Sequence, residues 1–311
     1  MLWYILIMKK KKLKVIILVV LLLILLAGLS YVVYHNLTKE SYSFKDDKLV
    51  YEKNRGKPEF EMFLKQKNET FDIYNVIYQS RNFLTYKTTI HGLLFLPKTE
   101  GKVPGVVLLP GGGVTKESEG RVAEIIANLG YAVLTIDQRG IGETGGYYLG
   151  IQEDYGVFAK GDEPIQFLSV YDALKAFDVM RKIESIDSSN IIMSGESMGG
   201  RYSMIAAALD DRIKGYVGIS TSGFHYKEEN MPYDSFLSSI DADNYVKMIS
   251  PRDFIMIHAT NDSTIKIEDA KLTFDNANEP KKFFRVEGCG HGYCDKMYEP
   301  LKQSLEWIFK K

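Results

Sequence analysis

Short, continuous apolar runs recur along this chain and set narrow limits on its fold. "VPGVVLLP" (103–110), "YAVLTID" (131–137), "NIIMSG" (190–195), "GYVGIS" (215–220) and "DFIMIHA" (253–259) do not alternate polar with apolar residues. A strand apolar on both faces must be covered on both faces, as the strands of a parallel sheet are. Between and around these runs lie segments of helical spacing: Glu119 to Leu129, Pro164 to Arg181, "MGGRYSMIAAAL", Lys266 to Phe274 and, after a further strand "KKFFRVEG", Asp295 to Phe309. Strands alternating with helices predict a mostly parallel central sheet with helices on both faces. Upstream, "FDIYNVIYQS" and "LTYKTTIHGLLFLP" do alternate, as antiparallel strands with one wet face would.

The N-terminus has a different texture. Lys9, Lys10, Lys11, Lys12 and Lys14 precede an uncharged run from Val15 to Tyr34. At the helical rise that run is about 30 Å long, the hydrocarbon thickness of a bilayer. Tyr31 and Tyr34 at its far end suit an interface, and the lysine cluster predicts a cytoplasmic N-terminus. The expected organisation is a basic segment 1–14, a transmembrane anchor 15–34 in contact with the lipid bilayer, a polar tether 35–67, and an extracytoplasmic catalytic domain 68–311. A cleaved signal peptide, which would make the protein secreted, is the rival reading. The run is long for one, and no convincing small-x-small site follows it.

About 275 residues remain after the anchor, enough for one large α/β domain whose core needs no disulfide or metal. The net charge of −1 gives no reason to expect a nucleic-acid partner. The two cysteines, Cys289 and Cys294, flank His291 without the spacing of a metal site. In an oxidising compartment they could close a small disulfide loop; otherwise they are two neighbouring thiols. Neither a metal nor a cofactor is expected.

Gly195-Glu196-Ser197-Met198-Gly199 falls between the strand "NIIMSG" and the helix that follows. A GxSxG pattern arises by chance in about one chain of this length in ten, so its placement carries the argument. On a strand-to-helix turn the serine is lifted above the sheet in a strained conformation, and bulk at Gly195 or Gly199 would collide with neighbouring backbone. A serine hydroxyl needs a base, and the base an orienting acid. Of five histidines, His35 lies at the membrane edge, His91 and His258 lie inside strands, and His225 is in a loop. His291, just past the last strand, is the best-placed base for a site at the strand ends. Asp262 follows "DFIMIHATN" on the same edge as Ser197; Asp253 and Asp269 are alternatives at the wrong strand end and inside a helix. The oxyanion would find one backbone donor at Met198 and a second in the loop Gly111-Gly112-Gly113, where glycines allow close approach.

These segments together resemble the α/β-hydrolase superfamily. "VPGVVLLPGGG", "GYAVLTIDQRGIGETGG", "GESMGG", "IHATNDSTI" and "VEGCGHG" look like its successive signature segments in the right order, from about Leu84 to Lys311. The nearest flavour is the serine esterase, dienelactone-hydrolase and prolyl-oligopeptidase-like group. The resemblance implies an α/β-hydrolase fold, Ser197 as nucleophile, Asp262 as acid, His291 as base, and oxyanion donors at Met198 and at Gly112 or Gly113. Asp137 and Arg139 match a segment that supports such sites structurally. Two departures stand out. Pro110-Gly111 replaces the His-Gly of many relatives, and only a compact cap, about 221–250, stands where larger lids are inserted. The expected substrate is a small carboxylic ester, with a short peptide as the first alternative. A catalytically silent, membrane-tethered binding protein on the same fold is the second. Oligomeric state is not readable. Residues 147–164 and 221–250 are expected to shape the pocket.

Overall fold

The computed structural model describes residues 2–37, 42–45 and 48–310. A nine-stranded sheet runs through the domain in the order β11-β10-β9-β8-β6-β7-β5-β4-β3. Its parallel part comprises β6 (Val103–Leu109), β7 (Ala132–Ile136), β8 (Ile186–Glu196), β9 (Gly215–Ile219), β10 (Asp253–Ala259) and β11 (Lys281–Val286). All but the edge strand β11 contain the uniformly apolar runs; β7, β9 and β10 are buried at every position. The strands β3 (Phe60–Lys67), β4 (Phe71–Gln79) and β5 (Thr89–Pro97) join antiparallel at one end.

Helices α2 (Gly120–Asn128), α4 (Ile165–Met180), α5 (Ser197–Leu209), α7 (Ile267–Asn276) and α8 (Tyr298–Phe309) occupy the connections. Two further helices were not read from the sequence: α3 (Ile151–Phe158) and α6 (Asp234–Ile240), the latter inside the compact cap. The first helix, α1 (Leu2–Leu37), falls in a separate compact unit, and its stretch Leu13–Tyr31 is long and apolar enough to cross a membrane.

The expected tether over 35–67 is corrected. Residues 38–41 and 46–47 of it lie outside the described residues. Residues 35–37 belong to α1, and from Phe44 on the described remainder is part of the domain's compact unit. β1 (Tyr42–Lys45) and β2 (Lys48–Tyr51) form a two-stranded sheet, and Phe60–Lys67 is the edge strand β3. The polar texture that suggested a tether has a physical cause. β3 packs little of itself inward, and Met62, Phe63 and Leu64 are exposed on it, so no alternation marks the strand.

The segment around 48–58 acts as a strap over α4. Every residue of α4 is buried, which accounts for a helix sequence apolar nearly all round. Tyr51 donates to the Phe167 carbonyl at 2.8 Å, and the Leu49 N–H donates to the Tyr245 hydroxyl at 2.7 Å. Arg55, with a side chain only 2% exposed, bridges Asp178 at 2.8 Å and Asp210 at 2.7 Å. The few charges on α4 are all engaged: Asp172 takes both arms of Arg139 at 2.7 Å, and Lys175 donates to the Arg55 carbonyl at 3.2 Å. Removing one partner of a buried pair costs about 3–5 kcal/mol, because a buried charge is left alone.

A chain beginning at residue 68 is therefore expected to lose cooperative unfolding, since it lacks β3 and leaves Asp178 and Asp210 without Arg55. One beginning at residue 42 is expected to keep it. Thermal unfolding of the two truncations, followed by circular dichroism, checks this; equal stability would refute the strap.

Candidate active site

Ser197 sits where β8 ends and α5 begins, with a positive φ of 51°. A non-glycine residue in that region stores about 1–3 kcal/mol of strain. The neighbouring glycines make the turn possible. A Cβ on Gly195 would lie 2.6 Å from the Gly199 carbonyl carbon and 2.7 Å from the Gly200 nitrogen. One on Gly199 would overlap the carbonyl oxygens of Leu109 and Pro110, so the first turn of α5 rests directly on the end of β6. Thr221, just past β9, donates its hydroxyl to the Ser197 carbonyl at 2.7 Å.

Asp262 lies three residues beyond β10, and its side chain is fully buried. Its Oδ1 accepts from the Thr264 and Ile265 N–H groups, each at 2.9 Å. His291 Nδ1 lies 2.8 Å from Oδ2 and 3.0 Å from Oδ1. Burial pushes the carboxyl upward, but the Ile265 N–H, His291 and the Thr264 N–H outweigh it and hold Asp262 below its ordinary range. An ionised carboxylate can only accept, so Nδ1 of His291 must carry a proton. That leaves Nε2 free to accept one from a hydroxyl.

His258 is fully buried and touches the same acid only at 3.5 Å. Its Nε2 donates to the Ile265 carbonyl at 2.9 Å, and burial pushes its pKa down, so it stays neutral. His225 pairs with Asp243 in the cap at 2.5 Å. Cys289 and Cys294 are joined as a disulfide that encloses His291.

The loop after β6 is held from three sides. Gln138 donates to the Pro110 carbonyl at 2.8 Å. Asp137 accepts from the Lys116 N–H at 2.7 Å and from Lys116 Nζ at 2.8 Å, and Glu143 also takes Nζ at 2.7 Å. The Gly111 N–H is engaged by the Glu119 carboxylate. Of the two glycines expected to supply an oxyanion donor, Gly112 packs on the first turn of α5. A Cβ there would lie 3.2 Å from the end of the Met198 side chain. Gly113 has a φ of 73° and open space around it. Arg139, two residues after Asp137, carries the bidentate pair to Asp172 described above.

Two acids near Ser197 were not found from the sequence. Glu196 accepts from the Tyr293 N–H at 3.2 Å, tying the His291 loop to the residue before the serine. Glu119 is almost fully buried, and one of its oxygens has no partner among the described residues. Burial, and then the charge of Glu196, push Glu119 upward; burial pushes Glu196 upward as well. An acid in the first turn of a helix reads as a solvated cap, so only tertiary burial reveals this pair.

A cavity of about 270 Å³ opens beside Ser197, lined by Tyr148, Gln166, Met198, Arg201, Phe224 and Ile265 among others. Its walls thus come partly from the segments 147–164 and 221–250.

Residues 33–228, more than half of the chain, match the model of the acetyl xylan esterase (AXE1) family. The chain belongs to the acetyl xylan esterase family. Ser197 and the Gly111–Gly113 loop fall inside the matched stretch; Asp262 and His291 lie beyond it. Among curated relatives of this esterase-family chain, a hydrolase named pyiE from Pyricularia grisea is 33% identical over 135 residues, covering 41% of this chain and 27% of that protein. The putative hydrolase YtaP of Bacillus subtilis is 28% identical over 147 residues, covering 44% of this chain and 48% of its own. The chain thus spans half the length or less of these relatives. In fold it is similar to acetyl xylan esterase from Paenibacillus sp. R4, with a TM-score of 0.68, 21% identity and coverage of 83% and 91% of the two chains. Acetyl xylan esterase 1 from Thermoanaerobacterium sp. gives 0.64, 18%, 81% and 88%. The fold is that of the α/β-hydrolases.

The acid pair yields a pH prediction. Both carboxyls hold their proton more tightly in the folded state than in the unfolded chain. Their contribution to folded stability therefore falls as pH rises above about 4.5, the ordinary value of a glutamate. Glu119→Gln removes that penalty and keeps an acceptor for the Gly111 N–H. Its melting temperature should match the parent near pH 4.5 and exceed it at pH 8, by roughly 2–4 °C per kcal/mol gained. Thermal scans across that range decide; an equal gain at both ends, or a loss at pH 8, contradicts the assignment.

Proposed function

We propose that this chain is a membrane-anchored serine esterase that cleaves a small carboxylic ester through an acyl-enzyme. The observation that carries the reading is the buried, ionised Asp262 holding Nδ1 of His291, on the sheet edge where Ser197 tops its strained turn. In this reading Ser197 Oγ attacks the ester carbonyl while His291 Nε2 takes its proton. The N–H groups of Met198 and of Gly112, with Gly113 as the alternative, receive the oxyanion. His291 then protonates the leaving alcohol and activates a water that releases the acid, and Asp262 stabilises the imidazolium that forms in each step. Gly195 and Gly199 keep the nucleophile turn open. Membership of an acetyl xylan esterase family supports an ester over an amide.

For location, we infer that the apolar part of α1 anchors the chain with its N-terminus in the cytoplasm and the domain outside. The lysines before it and the disulfide around His291 both favour that side of the membrane. N-terminal sequencing of membrane-bound protein is expected to find the helix intact; a mature terminus near Ser30 would show cleavage instead.

A fluorophosphonate probe should label the protein at Ser197, and Ser197→Ala should abolish labelling and lower kcat on short acyl esters by at least about 10⁴-fold. Labelling that persists in Ser197→Ala would refute the nucleophile. Asp262→Asn should keep the fold but lower kcat by about 10³- to 10⁴-fold, because the amide no longer fixes the imidazole tautomer. Turnover of aminoacyl amides above that of acyl esters would favour a peptidase.

A further inference from the structure

We propose that the cavity beside Ser197 binds a carboxylate carried by the substrate, with Arg201 as its partner. This rests on Ser197 being the nucleophile of an esterase.

Arg201 lies one helical turn after Ser197 on α5 and lines the same cavity. It is 8% exposed, yet no carboxylate comes within 4.0 Å of it among the described residues. Its hydrogen bonds there go to neutral groups, from Nη2 to Gln166 Oε1 at 3.1 Å and to the Tyr202 hydroxyl, and its buried Nε has no partner among the described residues. The guanidinium instead lies 4.1 Å over the Phe224 ring, a face that holds a cation in place without neutralising it. The arginines with deeply buried side chains, Arg55 and Arg139, contrast with this: each meets aspartates, while the half-buried Arg252 donates to the carbonyls of Ala207, Asp210 and Ile213. Asp241, an acid whose charge reaches Arg201, already accepts from the N–H groups of Phe224, Tyr226 and Asp243.

A buried guanidinium is costly unless an anion meets it, and burial indeed lowers its pKa while leaving it charged. Its planar fork matches a carboxylate edge-on. Ser197 and Arg201 line one cavity of about 270 Å³, so a carboxylate held by Arg201 and a carbonyl under attack at Ser197 must both fit within it, joined by a short spacer. The fitting substrates are half-esters of short dicarboxylic acids, with the charge on the acyl side, or esters of a small hydroxy acid, with the charge on the alcohol side.

The test uses the full chain in detergent. One pair of esters is the 4-nitrophenyl monoester of glutaric acid against 4-nitrophenyl valerate, for the acyl side. The other is 4-acetoxybenzoate against 4-acetoxybenzamide, for the alcohol side. The anionic member is expected to have the higher kcat/KM in one pair, which also fixes the side. Arg201→Gln should cut the anionic-to-neutral ratio by roughly 10- to 100-fold, and Arg201→Lys should restore part of it. A preference for the neutral member in both pairs, or a ratio unchanged in Arg201→Gln, overturns the inference. Calorimetric titration of monomethyl glutarate and of 4-acetoxybenzoate into Ser197→Ala separates the two claims. Binding that disappears in Ser197→Ala with Arg201→Gln supports the carboxylate site even if the parent cleaves none of the four esters, an outcome that defeats only the esterase reading. Binding of neither ligand overturns the site.

Discussion

The contact between the first turn of α5 and the end of β6 governs where everything else in the site can stand. Gly199 has no side chain because the Leu109 and Pro110 carbonyls occupy the space a Cβ would need. That approach brings the serine turn and the glycine loop side by side, and β8 lies between β6 and β9 so that both neighbours can support it. The remaining parts attach to this junction. Asp137 and Gln138, at the end of β7, pin the glycine loop. Glu196 reaches across to the loop that carries His291. A displacement of a few tenths of an ångström at this junction would be felt by the serine and by the glycine loop together.

The sheet was largely readable because physics writes buried parallel strands in an unambiguous way. Strands β6 to β10 are covered on both faces, so their sequences are apolar without alternation, and the runs found in the chain coincide with them to within a few residues. The edge strand β3 escapes the same logic. With one face hardly packed and Met62, Phe63 and Leu64 exposed, it carries neither pattern. The strap at 48–58 escapes for another reason. Arg55 finds Asp178 and Asp210 more than a hundred positions away, and no local signal encodes such a partner.

The site divides along the same line. A serine, a histidine and an aspartate at successive strand ends could be argued from chemistry and chain order, and Asp262 and His291 do meet in the fold. Arg201, Glu119 and Glu196 could not. An arginine on a helix is ordinarily a long stem with its head in water, and a glutamate at a helix start is ordinarily a solvated cap. Only burial against Phe224, or against a second acid, turns them into unusual groups. Residue identity shows which chemistry is available; packing decides which of those groups are held out of water.

The disulfide around His291 has a further consequence. Between the end of β11 and the start of α8 the chain has little length, and Cys289 and Cys294 close the middle of it into a small ring. A histidine on an open loop of this kind would sample many orientations, and each productive one would have to be found again at every encounter. Here the ring and the Asp262 contact restrict that search during folding and oxidation, before any substrate arrives. In the proposed reaction, much of the imidazole's ordering would therefore be a feature of how the protein matures, rather than a cost repeated with each turnover.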